Sequence, residues 1–358
     1  MQSWAKFDII ILGNAGKPRT SQQGDERMKL RRRLAALLGV CLSLSMLTAC
    51  GAQPQQTQQD PDAIRIAVSM SSRNQFLTKV ENAAVGRANE MGVSCDVWDA
   101  TNDYAVQLQH VKNAVAQGYD ALILNEINPG MTKTLLRQAG NLPVVFLNRQ
   151  PDFTAMTAGK QVYVGSDDEE PGRYQAEWIN DYAAKHGLST VRMVYLTGTD
   201  GQVSTTARRM TLFENLDVNI SLIYDSTAMY DRAKAMAQVQ RILQNGEEFD
   251  VLVAQNDEMA LGAIQAMLLT GENQVVCPVI GVDGTRAACQ AILDGQLAFT
   301  VYQPADAQGQ AAVDAALALI RGEPLDAIPN AALSEDGLSL TLPYAPVDAE
   351  NAAEFIEK

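Results

Sequence analysis

The chain has 358 residues, 47% hydrophobic and only 6% aromatic, with 28 basic against 42 acidic side chains and a net charge of −14. At roughly 100–200 residues per domain it can bury two cores. Residues 1–50 hold eight Lys or Arg and three Asp or Glu, so the remainder carries 20 against 39, a charge of −19. Such a body repels phosphate backbones and anionic lipid heads, which argues against a nucleic-acid partner or a surface held to membrane by basic patches.

Arg31, Arg32 and Arg33 precede an apolar run from Leu34 to Leu47, about the length of a secretory h-region and too short for a spanning helix. Leu47-Thr48-Ala49-Cys50-Gly51 resembles the lipobox of bacterial lipoproteins, in which the thiol accepts a diacylglyceryl group before cleavage. Residues 28–49 are therefore expected to be a lipoprotein signal peptide and Cys50 the lipidated mature N-terminus. The alternative is an ordinary cleaved signal peptide with an incidental cysteine. The box coincides with the end of the h-region, which favours lipidation. A signal n-region is short, so translation is expected to start at Met28, with residues 1–27 an upstream extension outside the fold. Residues 51–62 contain no aliphatic side chain larger than alanine and read as a tether, about 20 Å long as a flexible coil.

From Ile64 onward short apolar runs alternate with amphipathic helices. The runs Ile64 to Met70, Ala121 to Leu124, Val144 to Leu147, Val162 to Gly165, Met193 to Leu196, Val251 to Ala254 and Val279 to Val282 are nearly continuous, as strands buried on both faces must be. Phe76, Val80, Ala84, Ala88 and Met91 form one helical stripe, while Trp178, Tyr182, Val239, Ile242, Leu261, Ile264 and Leu268 anchor later ones. Alternation of this kind gives parallel sheets covered on both faces, and roughly a dozen strand–helix units exceed one open sheet. The expected fold class is α/β, with two doubly wound parallel-sheet lobes.

Ligands of such sheets sit beyond the carboxyl ends of the strands. There the chain places Asn125, then Asn148 and Arg149, then Gln255, Asn256 and Asp257, then Asp283, and finally Gln303. Amides both donate and accept, as a hydroxyl does, so amides with one carboxylate and one guanidinium suit a neutral polyol. Each could instead be a helix N-cap. Asp257 is the better cap candidate before Glu258 to Leu269, which would free Asn256 for a ligand. No nucleophile elbow, phosphate loop or dinucleotide fingerprint is present, so an enzyme is not expected. Five cysteines without a CxxC pair and two histidines, His110 and His186, give no zinc spacing. Both histidines, with Cys95, Cys277 and Cys289, read as structural.

Several stretches resemble the periplasmic sugar-binding proteins of the galactose/glucose and ribose type, the receptors of ABC importers. Val162-Tyr163-Val164-Gly165-Ser166-Asp167, Thr227-Ala228-Met229-Tyr230-Asp231 and Leu342-Pro343-Tyr344-Ala345-Pro346-Val347-Asp348, followed by Asn351 and Phe355, are similar to the galactose/glucose branch. Ala254-Gln255-Asn256-Asp257-Glu258 and Asp283-Gly284-Thr285 are similar to the ribose branch. The similarity spans Ile64 to Phe355. It implies a type I periplasmic binding protein: two lobes joined by three crossings, here near Asn148, Tyr302 and Ser339, closing on one monosaccharide. The lobes would be 63–148 and 149–302, with 303–339 returning to the first and 340–358 to the second.

The resemblance also implies contacts. Asn74 and Phe76 match the loop after the first strand, and Tyr230 the opposing aromatic position, so that two rings would sandwich a sugar whose C–H face is apolar. Asn125, Arg149, Arg208, Asn256, Asp283 and Gln303 match binding positions, with Asn148 beside them. The galactose/glucose branch has a carboxylate at Asn74, a histidine at Gln202, a carboxylate at Ser204 and a tryptophan at Tyr230, whereas Asn74, Arg149 and Gln303 agree with the ribose branch. The frame is thus galactose-like and the pocket partly ribose-like. The branch's calcium loop has no counterpart in His186-Gly187-Leu188-Ser189-Thr190, so no calcium, other metal or cofactor is expected. The expected role is a monomeric, lipid-anchored receptor on the outer face of the bacterial membrane that passes a monosaccharide to an ABC permease. The alternative is a sugar or autoinducer sensor signalling to a receptor kinase.

Overall fold

The computed structural model describes residues 63–270 and 274–356. The expected start at Met28, the signal segment, Cys50 and the tether lie outside the described residues. The chain opens with β1 (Arg65–Met70), whose last five residues are all buried: Ile66, Val68 and Met70 enter one core and Ala67 the other, while β2 (Ser94–Asp99) and β3 (Ala121–Leu124) flank it in parallel. Between them run α1 (Gln75–Glu90) and α2 (Tyr104–Ala116). Then follow α3 (Thr132–Ala139), β4 (Val144–Leu147) and β5 (Gln161–Gly165).

The second lobe alternates α4 (Glu170–His186), β6 (Thr190–Thr197), α5 (Val203–Glu214), β7 (Asn219–Thr227), α6 (Arg232–Gln244), β8 (Val251–Ala254) and α7 (Asp257–Leu269). It closes with β9 (Val279–Ile280), α8 (Arg286–Leu293) and β10 (Thr300–Tyr302). The chain returns to the first lobe as α9 (Ala305–Arg321), β11 (Ala332–Leu333) and β12 (Ser339–Thr341), then ends in the second as β13 (Ala345–Val347) and α10 (Ala352–Phe355).

The first sheet has the order β11-β12-β5-β4-β3-β1-β2, parallel except for the β11–β12 pair, and the second β7-β6-β8-β9, parallel throughout. Single bridges Ile280 to Phe299 and Asp283 to Tyr302 carry the second sheet on to β10, which pairs antiparallel with β13. Each sheet is covered on both faces by apolar side chains, giving the expected doubly wound α/β lobes.

Three details differ from expectation. The first crossing falls after Gly165 rather than at Asn148, because β5 pairs with β4 and β12 inside the first sheet. The third runs through Leu342 to Tyr344, just beyond β12, while the second lies at Gln303 beside the expected Tyr302. Met91 is exposed, being the C-cap of α1, and Leu77 joins Val80, Ala84 and Ala88 on the buried stripe. Among the strands that the apolar runs did not mark are β2 and β7. Both are edge strands with half-exposed side chains, so neither carries the continuous apolar run of a central strand. His110 is a packing residue, its Nδ1 3.0 Å from Ser69 Oγ and its ring against Trp98, and the three described cysteines are free.

Candidate functional site

One cavity sits where the two lobes meet, and eleven of the twelve expected contact residues line it. Asn74 and Phe76 enter from the start of α1. Asn74 is also that helix's N-cap, its Oδ1 accepting from the Leu77 N–H at 2.8 Å, which leaves its NH2 for other partners. Phe76 lines the cavity while packing half-buried against the first core, so one ring does both tasks. Asn148 and Arg149 come from the turn after β4. The Asn148 Nδ2 donates to Gln308 Oε1 on α9 at 3.1 Å, and Arg149 Nη1 lies 3.4 Å from the Glu126 main-chain oxygen. Burial pushes the Arg149 guanidinium down to about 10.

From the second lobe, Gln202 occupies the N-cap position of α5 without making a side-chain cap bond, and Ser204 and Arg208 follow on the same helix. The Tyr230 hydroxyl lies 3.1 Å from Ser204 Oγ and 2.9 Å from Thr205 Oγ1, which fixes the ring. Arg208 is buried; its Nη1 donates to the Gln255 carbonyl at 2.6 Å and its Nη2 to the Tyr344 hydroxyl at 3.0 Å. Burial alone would lower its pKa, yet Tyr344, Tyr230, Asp168 and Asp283 together hold it above its ordinary value. Asp283 and Gln303, buried on the second lobe's strand ends, complete the lining with Asn256. Burial, reinforced by the negative charge of Asp257, raises the Asp283 carboxyl well above the ordinary range, while Arg208 and the Asn256 amide oppose the shift.

Three of these residues hold left-handed backbone: Asn148 at φ 66°, Tyr230 at φ 59° and Asp283 at φ 120°. Each costs about 1–3 kcal/mol relative to a relaxed residue, and such conformations cluster at ligand clamps. Their sheets and caps hold them there: the Asp283 N–H donates to the Val301 carbonyl and its own carbonyl accepts from the Gln303 N–H.

Asn125 is the exception among the expected contacts. Its side chain is fully buried behind the cavity, where Oδ1 accepts from the Ser71 hydroxyl at 2.5 Å and Nδ2 donates to the Leu147 carbonyl at 2.9 Å. It ties β1 to β4 across β3. The cap expected at Asp257 falls instead on Asn256. Asn256 is the N-cap of α7, accepting from the Met259 N–H at 3.0 Å, and still lines the cavity. Asp257 lies inside, accepting from the Thr300 hydroxyl at 2.6 Å and the Thr285 N–H at 2.7 Å. An Asn cap keeps an amide donor for the Asp283 carboxyl, whereas a second carboxylate at that spot would repel it.

The expected Asp283, Arg149 and Arg208 are joined in the cavity wall by two further carboxyls, Asp168 and Glu126. Asp168, on the first crossing, lies 3.5 Å from Arg208 Nη2 and 3.3 Å from the Tyr344 hydroxyl, and burial raises its carboxyl despite those partners. Glu126 is buried beside Asn125 and also lines the cavity. Both follow strand ends, Asp168 by three residues and Glu126 by two, so reading only the first residue or so after each run misses them. Among the described residues no group of His, Cys, Asp and Glu could hold a metal ion. No described helix is long and apolar enough to cross a membrane.

Two doubly wound lobes, three crossings and a polar cavity between them define a type I periplasmic binding protein. Residues 66–324 match the family described as periplasmic binding protein domain, and the chain belongs to that family. It is 30% identical over 292 residues to the putative rhizopine-binding protein of Rhizobium meliloti, covering 79% of this chain and 89% of the relative. It is also 30% identical over 292 residues to the ribose import binding protein RbsB of Bacillus subtilis, covering 79% and 92%. An ABC transporter solute binding protein from Bacillus halodurans, solved with bound myo-inositol, superposes with a TM-score of 0.70 at 29% identity, covering 82% of this chain and 97% of that one. The chain is thus a periplasmic, exported binding protein of the sugar-binding type and not an enzyme.

Proposed function

We propose that this chain is the receptor of an ABC importer for one neutral cyclic polyol, a monosaccharide or an inositol, and that a lipid on Cys50 holds it at the membrane. The observation that carries the reading is the composition of the cleft. Phe76 and Tyr230 supply flat apolar faces, while Asn74, Asn148, Gln202, Asn256 and Gln303 offer amides that match hydroxyls in both directions. An anionic solute would find the two guanidiniums already partly engaged by the chain's own oxygens. The ribose-import relative and the myo-inositol complex support a polyol.

Because the lining residues belong to both lobes, a ligand touching all of them binds the closed arrangement better than an open one and shifts that equilibrium by its differential affinity. Calorimetry of the purified protein against pentoses, hexoses and inositols tests the reading. Micromolar or tighter binding of one such solute is the expected result; binding of amino acids or carboxylates with no polyol bound would sink it. Cys50→Ala is expected to release the protein from the membrane fraction.

A further inference from the structure

Glu126 is a group that neither the strand-end pattern nor the family resemblance singled out. It is 1% exposed, it lines the cavity, and its two carboxyl oxygens differ. Oε2 lies 2.8 Å from Thr132 Oγ1, whereas Oε1 is buried with no hydrogen-bond partner. Buried polar atoms are nearly always satisfied, so an orphan oxygen on a residue that lines a ligand cavity points to a partner that the chain does not supply. The surroundings of the carboxyl narrow what that partner is. Asp152, after β4, adds negative charge; Tyr104, at the start of α2, feels the Glu126 charge; and Arg149 reaches the main-chain oxygen of Glu126 rather than its carboxyl. Among the described residues no cation pairs with it.

We propose that Glu126 is a further specificity-determining residue of the cleft, its Oε1 hydrogen-bonding a hydroxyl of the bound polyol. The inference rests on the polyol reading above and extends it to a named contact. Burial pushes the carboxyl up to about 8, so near neutral pH it is mainly the uncharged acid. Thr132 accommodates that form: its hydroxyl can receive the Glu126 proton and donate its own to the Pro129 carbonyl, 2.9 Å away, while accepting from the Asp152 N–H at 3.0 Å. Oε1 is then a carbonyl acceptor for a ligand hydroxyl. A carboxylate held for an ammonium would instead need to be ionised.

The test is calorimetric titration of wild type, Glu126→Gln and Glu126→Leu with D-ribose, D-galactose and myo-inositol at pH 7. Wild type should bind at least one. Glu126→Gln, which keeps an acceptor and a donor, should bind it within about threefold, and Glu126→Leu at least about tenfold more weakly, with an unliganded Tm no lower than wild type. Should Glu126→Leu not fold, Glu126→Met, which likewise offers no carboxyl acceptor, serves instead and should show the same loss of at least about tenfold. Glu126→Leu binding as tightly as wild type overturns this inference alone. A loss in Glu126→Gln as large as in Glu126→Leu also overturns it, since Gln keeps the acceptor oxygen to which the ligand hydroxyl is assigned. If wild type binds none of these three, the same three proteins are titrated with whichever pentose, hexose or inositol it does bind; if it binds none of that wider set, the polyol reading falls and this inference with it.

Discussion

Arg208 on α5 donates to the hydroxyl of Tyr344 at 3.0 Å, linking the cavity wall of the second lobe to the third crossing between the lobes. Asp168 on the first crossing accepts from both, so two of the three crossings converge on one buried guanidinium. Arg208 is therefore expected to serve the ligand and the hinge together. Arg208→Ala strands a buried Asp168 and should cost about 3–5 kcal/mol of stability as well as at least tenfold in ligand affinity. Tyr344→Phe removes one hydroxyl that does not line the cavity, so it should lower stability by about 1 kcal/mol and change affinity less than about threefold. Urea unfolding without ligand and calorimetry with ligand separate the two effects. Equal affinity losses in both variants would show that Tyr344 acts on the ligand directly.

Asn125 and Asn256 follow strand ends in the same way, yet the structure gives them different work. Asn125→Ala removes bonds to Ser71 and Leu147 in the first core and should destabilise the protein by about 2–3 kcal/mol with affinity kept within about threefold. Asn256→Asp keeps the cap on α7 but replaces the amide beside Asp283 with a second buried carboxyl, and should weaken binding at least about tenfold as well as lower stability. Thermal melts and titrations of both variants check the contrast. The assignment fails if Asn125→Ala loses affinity while its melting point stays put.

The same pair shows how far the sequence could be read. Apolar runs that end in amides located the cleft because central parallel strands are buried on both faces and finish at the ligand side. Whether a given amide turns inward or outward depends on its neighbours across the sheet: Ser71 and Leu147 claim Asn125, and no local pattern reveals that. The crossing at Asn148 was misplaced for a related reason. The strand Gln161–Gly165 is apolar whichever sheet it joins, and only its pairing with Val144 to Leu147 decides its lobe. Asp168 and Glu126 were missed because a carboxylate two or three residues beyond a strand reads as ordinary surface charge. Both are buried here.

Tyr230 tests the aromatic half of the cleft. Its hydroxyl is held by Ser204 and Thr205, and a Cβ at Gly198 would overlap the ring, so the glycine makes the space the ring occupies. Tyr230→Phe keeps the flat face and should weaken binding less than about fivefold. Tyr230→Ala should weaken it at least about tenfold, since stacking on an apolar face contributes on the order of 1 kcal/mol beyond the area buried. Gly198→Ala should imitate Tyr230→Ala by displacing the ring. Titration of the three variants with one polyol decides; if Gly198→Ala binds like wild type, the ring is not held where the ligand needs it.

The buried carboxyls make the unliganded protein less stable as pH rises. Burial raises Glu126 from 4.5 to about 8 and Asp257 from 3.8 to about 7. In the unfolded chain both ionise near their ordinary values, so above about pH 4 the unfolded state releases protons that the folded state retains. Their favourable contribution is complete below pH 4 and is lost progressively until pH 7 to 8. Asp250, held below the ordinary range by its hydrogen bonds and pairing with Arg192, works in the opposite sense: its stabilisation is lost as the solution becomes more acid than about pH 4. Between pH 5 and pH 8 the wild type should therefore lose stability, on the order of 2 kcal/mol more than Glu126→Gln, which cannot ionise there. Urea unfolding at pH 5, 6.5 and 8 measures the two slopes, and identical slopes would mean that Glu126 is solvated in the folded protein.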